Sequence, residues 1–148
     1  MKATEFAAWW GAAIATLVLL WDIYKWERPG PRVLVTARPN MKTLDNSKLN
    51  VFVEATNLGD RPTTLTHFSA FQFKTVLHRV RMKPSKSFII PWTTGGPTIP
   101  HTLSPGERWT GLIDQASLKQ EIESKGPVYC GVYESGRSRP RLARIHLN

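Results

Sequence analysis

Hydrophobic and polar positions divide the chain into two unequal parts. Phe6 to Trp21 (FAAWWGAAIATLVLLW) runs without a single charge. After Arg32 the apolar residues come in short groups, many of them alternating with polar ones. The first pattern predicts a helix. Sixteen residues at the helical rise span roughly 24 Å, and continuing through Asp22, Ile23 and Tyr24 approaches a ~30 Å hydrocarbon core. Trp9 and Trp10 near one end, and Trp21, Tyr24 and Trp26 near the other, match the aromatic belts of the two membrane surfaces. A cleaved secretory signal needs small residues after the apolar run, whereas WDIYKWERP is bulky and charged. An amphipathic surface helix needs a polar face, which this run lacks.

A retained single-pass transmembrane helix is therefore expected, with anchor and flanks over residues 1–27 and the lipid bilayer as its first partner. Its membrane-interface positions are Trp9, Trp10, Trp21, Tyr24, Lys25, Trp26, Arg28 and Arg32. On the N-terminal side Lys2 is offset by Glu5, while Lys25, Arg28, Arg32 and Arg38 follow the helix. The positive-inside rule places the C-terminal domain in the cytoplasm. An exported domain on the same anchor is the alternative. Around the helix, Ala8, Gly11, Ala12 and Ala15 share one side and Trp10, Ile14, Leu17 and Trp21 the other. The small side predicts packing against a second copy or another membrane helix. The competing explanation is that alanine is common in such helices.

RPGPR (28–32) cannot continue a helix, because Pro29 and Pro31 lack donors and fix φ, so it reads as a short stiff linker. Strand patterns follow at RVLVTAR (32–38) and at KLNVFVEATN (48–57), with Leu49, Val51, Val53 and Ala55 on one face. TLTHFSAFQF (64–73) continues the pattern, with Phe71 and Phe73 in phase with Leu65. TVLHRVRM (75–82) and SFIIPW (87–92) read as further strands. Pro105-Gly106 makes a turn between two extended pieces. DQASLKQEIESKG (114–126) has helix chemistry instead: Asp114 or Ser117 as cap, Leu118 and Ile122 one turn apart, Gly126 as stop. VYCGVYES and RLARIHL form a final hairpin across GRSRP. The predicted fold class is mainly β, an antiparallel sandwich of seven or eight strands over residues 33–148 with one short helix.

VFVEATNLGDRP followed by LSPGERWTGLI resembles bacterial immunoglobulin-like modules of the cell-adhesion-related and adaptin-ear-like type. The likeness rests on Val51, Val53, Asn57 and Gly59, then on Leu103, Pro105, Gly106 and Glu107, and covers roughly residues 48–113. It implies an immunoglobulin-like sandwich with an adhesive or structural role, usually exported. These motifs are turn chemistry, so they bear on fold more than on activity.

Charge narrows the partners. The chain has 20 basic and 11 acidic residues. Setting aside Lys2, Glu5 and Asp22 leaves 19 and 9 from Lys25 onward, a balance of +10. Such a domain suits lipid head groups, nucleic acid or an acidic protein. In a strand, Arg79, Arg81 and Lys83 would share one face, with Lys86 close by; Arg137, Arg139, Arg141 and Arg144 crowd the last hairpin. These eight are the candidate anionic-partner residues, with an ordinary solvated face as the plain alternative. The four histidines, His67, His78, His101 and His146, lack metal-ligand spacing. Cys130 is the only cysteine, so no intrachain disulfide forms, and it reads as a small core residue. No catalytic, cofactor or metal motif is found, and none is expected to be used. The functional expectation is a membrane-anchored, non-catalytic binding or assembly module, of the kind that suits a bacterial or prophage exclusion, immunity or complex-subunit protein. Its partners would be a protein or a second copy through the membrane helix, and anionic lipid. The alternative is a membrane-tethered nucleic-acid binder using its basic strand faces.

Overall fold

The computed structural model describes residues 3–26, 30–44, 46–91, 96–122 and 126–147. Two compact units divide at Gly30 and are described separately.

The first unit is helix α1, Ala3–Trp26. Its stretch Glu5–Tyr24 is long and apolar enough to cross a membrane. Those 20 residues rise roughly 30 Å, the thickness of a hydrocarbon core. Phe6 meets Trp10 edge-on at 6.3 Å and Trp21 stacks on Tyr24 at 6.0 Å, so each end carries an aromatic pair.

The second unit is mainly β, with eight strands in two antiparallel sheets among its described residues. The strands are β1 (Val33–Thr43), β2 (Asn46–Asn57), β3 (Thr63–Gln72), β4 (Lys86–Ile89), β5 (His101–Leu103), β6 (Arg108–Asp114), β7 (Val128–Glu134) and β8 (Arg141–Ile145). One sheet has the order β1-β2-β6; the other runs β4-β3-β7-β8, with β5 beside the start of β3. Inward residues of both sheets form one core. Val33 and Val35, Val51, Val53 and Ala55, and Trp109 and Ile113 come from the first. Leu65, Phe68, Ala70, Val128, Cys130, Val132 and Ile145 come from the second. Trp109 is fully buried, meets Phe68 edge-on at 5.4 Å, and donates its indole N–H to the Pro97 carbonyl at 2.8 Å. That bond satisfies the one polar atom such a ring carries inward.

The alternation of β2 is expressed as expected at Val51, Val53 and Ala55, but Leu49 is 40% exposed. It pairs with Lys42 beside a register irregularity near the β1–β2 turn. Strand β3 departs further. Leu65 pairs with Glu134 and His67 with Tyr133, so β3 carries a bulge there. One extra residue reverses the phase of everything after it. Phe68 and Ala70 therefore join Leu65 in the core, while Phe71 and Phe73, expected in phase with Leu65, face outward and form a second cluster with Tyr129.

Residues 75–82, expected as a strand, contain the short helix α2, Val76–Val80. Thr75 caps it, its hydroxyl accepting from the His78 N–H at 3.4 Å and meeting His78 Nδ1 at 2.7 Å. Met82 then takes a positive φ of 50°, and Pro84 follows. Val76, Leu77 and Val80, at i, i+1 and i+4, thus sit on a capped turn, where local hydrogen bonds override strand propensity. Helix α3, Gln115–Glu121, is shorter than the predicted 114–126. Asp114, not Ser117, is its cap: one carboxylate oxygen accepts from the Ala116 N–H at 3.1 Å and the other from the Ser117 hydroxyl at 2.7 Å.

The two turn motifs close on each other. Asn57 N–H donates to the Glu107 carbonyl at 3.0 Å and the Gly106 N–H to the Asn57 carbonyl at 2.8 Å. The Asn57 side-chain amide donates to the carbonyls of Arg61 at 2.8 Å and Leu103 at 3.1 Å, and its oxygen accepts from the Gly59 N–H at 3.0 Å. Gly106 has φ of 79°, the left-handed value that follows proline in a type II turn. The Glu107 carboxylate accepts from the Ser104 N–H at 2.8 Å, which closes that turn.

Candidate functional site

The outer face of the five-stranded sheet gathers aromatic and cationic groups. Bulged β3 supplies Phe71, and Phe73 follows it; β7 supplies Tyr129 and Tyr133. Tyr129 meets Phe73 edge-on at 5.6 Å. Over the Tyr129 ring lies the Arg79 guanidinium, 5.3 Å from the centroid, a cation–π contact made by the first helical turn after β3. Arg144 is the register partner of Tyr129 on β8 and is exposed. Met82 packs into the same cluster.

Helix α2 touches this cluster through Arg79 and leaves its own apolar side chains in solvent. Val76, Leu77 and Val80 are 62%, 57% and 61% exposed. Around them lie Lys74, His78, Arg81 and Lys83, all exposed. From Arg61 to Gly106 the sequence holds six Lys or Arg and neither Asp nor Glu. The result is a small apolar knob in a positive field.

The predicted anionic-partner residues are therefore not one group. Arg79, Arg81, Lys83 and Arg144 gather at the α2 end of the sheet. Arg79, Arg81 and Lys83 share no strand face, because 76–80 is helical and Arg81 ends the helix. Lys86 is turned to α3, where it donates to the Glu121 carbonyl at 3.2 Å. Arg141 faces inward and pairs with buried Glu134 at 2.7 Å. Arg137 and Arg139 are exposed in the β7–β8 connection, at the opposite end of the strands from α2. Sequence reasoning missed Val76, Leu77 and Val80 as surface residues; the signal for them was Thr75 before and Pro84 after a short apolar run.

In α1, Trp9, Trp10, Trp21 and Tyr24 are exposed near the helix ends, and Ala8, Gly11, Ala12 and Ala15 fall on one side at helical spacing. Arg28 and the side chains of Lys25 and Trp26 lie outside the described residues; Arg32 is exposed at the start of the domain.

A shallow groove of about 660 Å³ lies beside the aromatic floor, lined by His67, Phe71, Ile89, Tyr133 and Arg137 among others. His67 meets Tyr133 edge-on at 6.2 Å. Glu134, also on its lining, is held by Arg141. Cys130 is fully buried, its thiol directed to the Ala143 carbonyl at 3.7 Å, and burial pushes its pKa up to about 12. A thiol so disfavoured as thiolate is a packing group. Among the described residues no three of His, Cys, Asp and Glu gather as a metal site would require.

Comparison with protein families, curated proteins and solved structures finds no match for this chain.

Proposed function

We propose that the protein is a membrane-anchored, non-catalytic binding module. Helix α1 crosses the bilayer, and an immunoglobulin-like sandwich presents the outer face of its five-stranded sheet to an anionic partner. The observation that carries this reading is the basic, aromatic-floored face crowned by three exposed apolar residues of α2. The immunoglobulin-like assignment is supported by the strand order, β1-β2-β6 against β4-β3-β7-β8, which is the A-B-E and C′-C-F-G arrangement of such sandwiches. The mutual closure of the Asn57 and Pro105-Gly106 motifs adds to it. The positive flank after α1 supports a cytoplasmic domain. The small side of α1 suits association with a second copy.

The nucleic-acid alternative gains less support. Phe71, Phe73 and Tyr129 are buried, with Met82, Tyr133 and Leu142 packed against them, so they offer no free ring faces for base stacking. Alkaline extraction of membranes from cells expressing the full chain tests the anchored reading. Protein kept in the membrane pellet with residues 1–27 intact is expected. Release into the supernatant, or loss of the apolar run, contradicts it.

A further inference from the structure

We infer that α2 and its basic flanks form a second, peripheral membrane contact, in which Val76, Leu77 and Val80 enter the interfacial layer of an anionic bilayer while Lys74, Arg81 and Lys83 meet its head groups. The inference deepens the reading above by naming the partner as anionic lipid, and it rests on that reading for the bilayer's proximity. Three apolar side chains more than half exposed on a five-residue helix form a compact protrusion, not a groove for a partner helix. In sequence, the 46 residues from Arg61 to Gly106 hold no Asp or Glu, and Lys74, Arg81 and Lys83 flank the helix directly. Apolar tips ringed by Lys and Arg are the composition that interfacial elements use, burying apolar area while the cations remain at the phosphates. Arg79 acts differently from these cations. Its contact with Tyr129 ties the protrusion to the sheet, so the tips are carried on a rigid base.

Leu34 is 52% exposed on β1 of the three-stranded sheet, the sheet that does not carry the α2 segment.

The test uses the full chain reconstituted into vesicles, with an environment-sensitive fluorophore on Val80→Cys. Native Cys130 stays unlabelled because it is buried. We expect a blue shift in phosphatidylcholine vesicles containing phosphatidylglycerol relative to phosphatidylcholine alone. The shift should weaken at high salt, as screening requires, and be lost when Arg81→Glu and Lys83→Glu are added. The same fluorophore on Leu34→Cys should not respond. Identical emission in both vesicle types, an equal response at position 34, or a shift that survives the double charge reversal overturns the inference. Flotation separates the two claims. If the chain floats with neutral vesicles but Val80→Cys ignores anionic lipid, only the α2 contact fails. Failure to float with neutral vesicles refutes the anchor, whatever α2 does.

Discussion

Replacing Asn57 with alanine tests the cross-link between the two turn motifs. Asn57 is fully buried, and its side chain serves three backbone groups at 2.8 to 3.1 Å: the N–H of Gly59 and the carbonyls of Arg61 and Leu103. A fourth approach, from the Arg32 N–H at 3.4 Å, is long enough to neglect. The Leu103 carbonyl is buried, whereas the Gly59 and Arg61 contacts are partly open to water. Assigning about 1.5 kcal/mol to the buried group and about 0.7 to each of the others gives a loss of about 3 kcal/mol. Cys130 reports it directly, because a core thiol reacts only when the domain opens. At 1.36 kcal/mol per tenfold, labelling of the full chain in mild detergent should accelerate roughly 150-fold. Repeating the labelling across a urea series separates global opening from local fluctuation. The neighbouring Thr56→Ala, whose position is only half-buried, should stay within about threefold, corresponding to the ±0.5 kcal/mol typical of surface changes. An Asn57→Ala rate within threefold of the parent would refute the view that this side chain joins the two turns.

Gly131 lies where an added Cβ would stand 2.7 Å from Phe71 Cε2 and 2.9 Å from Leu142 Cδ2, so Gly131→Ala should destabilise. Overpacking of this kind costs about 1–3 kcal/mol, read as a lower urea midpoint, and a second change, Phe71→Leu, should recover part of it. At low pH two turn carboxylates matter. The Ser104 N–H holds the Glu107 carboxyl below its usual range, and the Ser117 hydroxyl does the same for the Asp114 carboxyl. Both folded pKa values are depressed, so their stabilisation is complete above about pH 5 and fades as pH falls through and below the ordinary carboxylate range near 4. Denaturant titrations at a series of pH values should show a flatter acid limb in Glu107→Gln combined with Asp114→Asn. In α1, Gly11→Leu with Ala15→Leu should lower self-association in a membrane two-hybrid assay, whereas Trp10→Leu on the opposite side should not.

Much of the fold is legible in the sequence where local chemistry decides the outcome. Alternation marks Val51, Val53 and Ala55 as core, Pro105-Gly106 marks a turn, and Asp114 marks a helix start. The errors have one physical origin: pairing partners that the sequence does not display. The β3 bulge is defined only against β7, and it moves Phe71 and Phe73 to the outer face. The alternation of Arg79, Arg81 and Lys83 with Val80 and Met82 suggests a strand, yet VLHRV before it carries its apolar residues at helical spacing, and with the Thr75 cap it forms a helix. Basic residues suffer most, because a long side chain finds its partner through tertiary structure. Arg141 is drawn to the Glu134 carboxylate and Lys86 to the Glu121 backbone carbonyl, while Arg79 is laid on Tyr129. The candidate surface therefore emerged only once α2 was seen to expose what a strand would have buried.

Which side of the membrane this basic face meets decides the rest. A dual reporter fused after Asn148, fluorescent only in the cytoplasm and enzymatically active only when exported, measures it in intact cells. The positive flank of α1 predicts fluorescence without the exported activity. Exported activity without fluorescence would contradict the account and return the domain to the exported role that its turn motifs resemble.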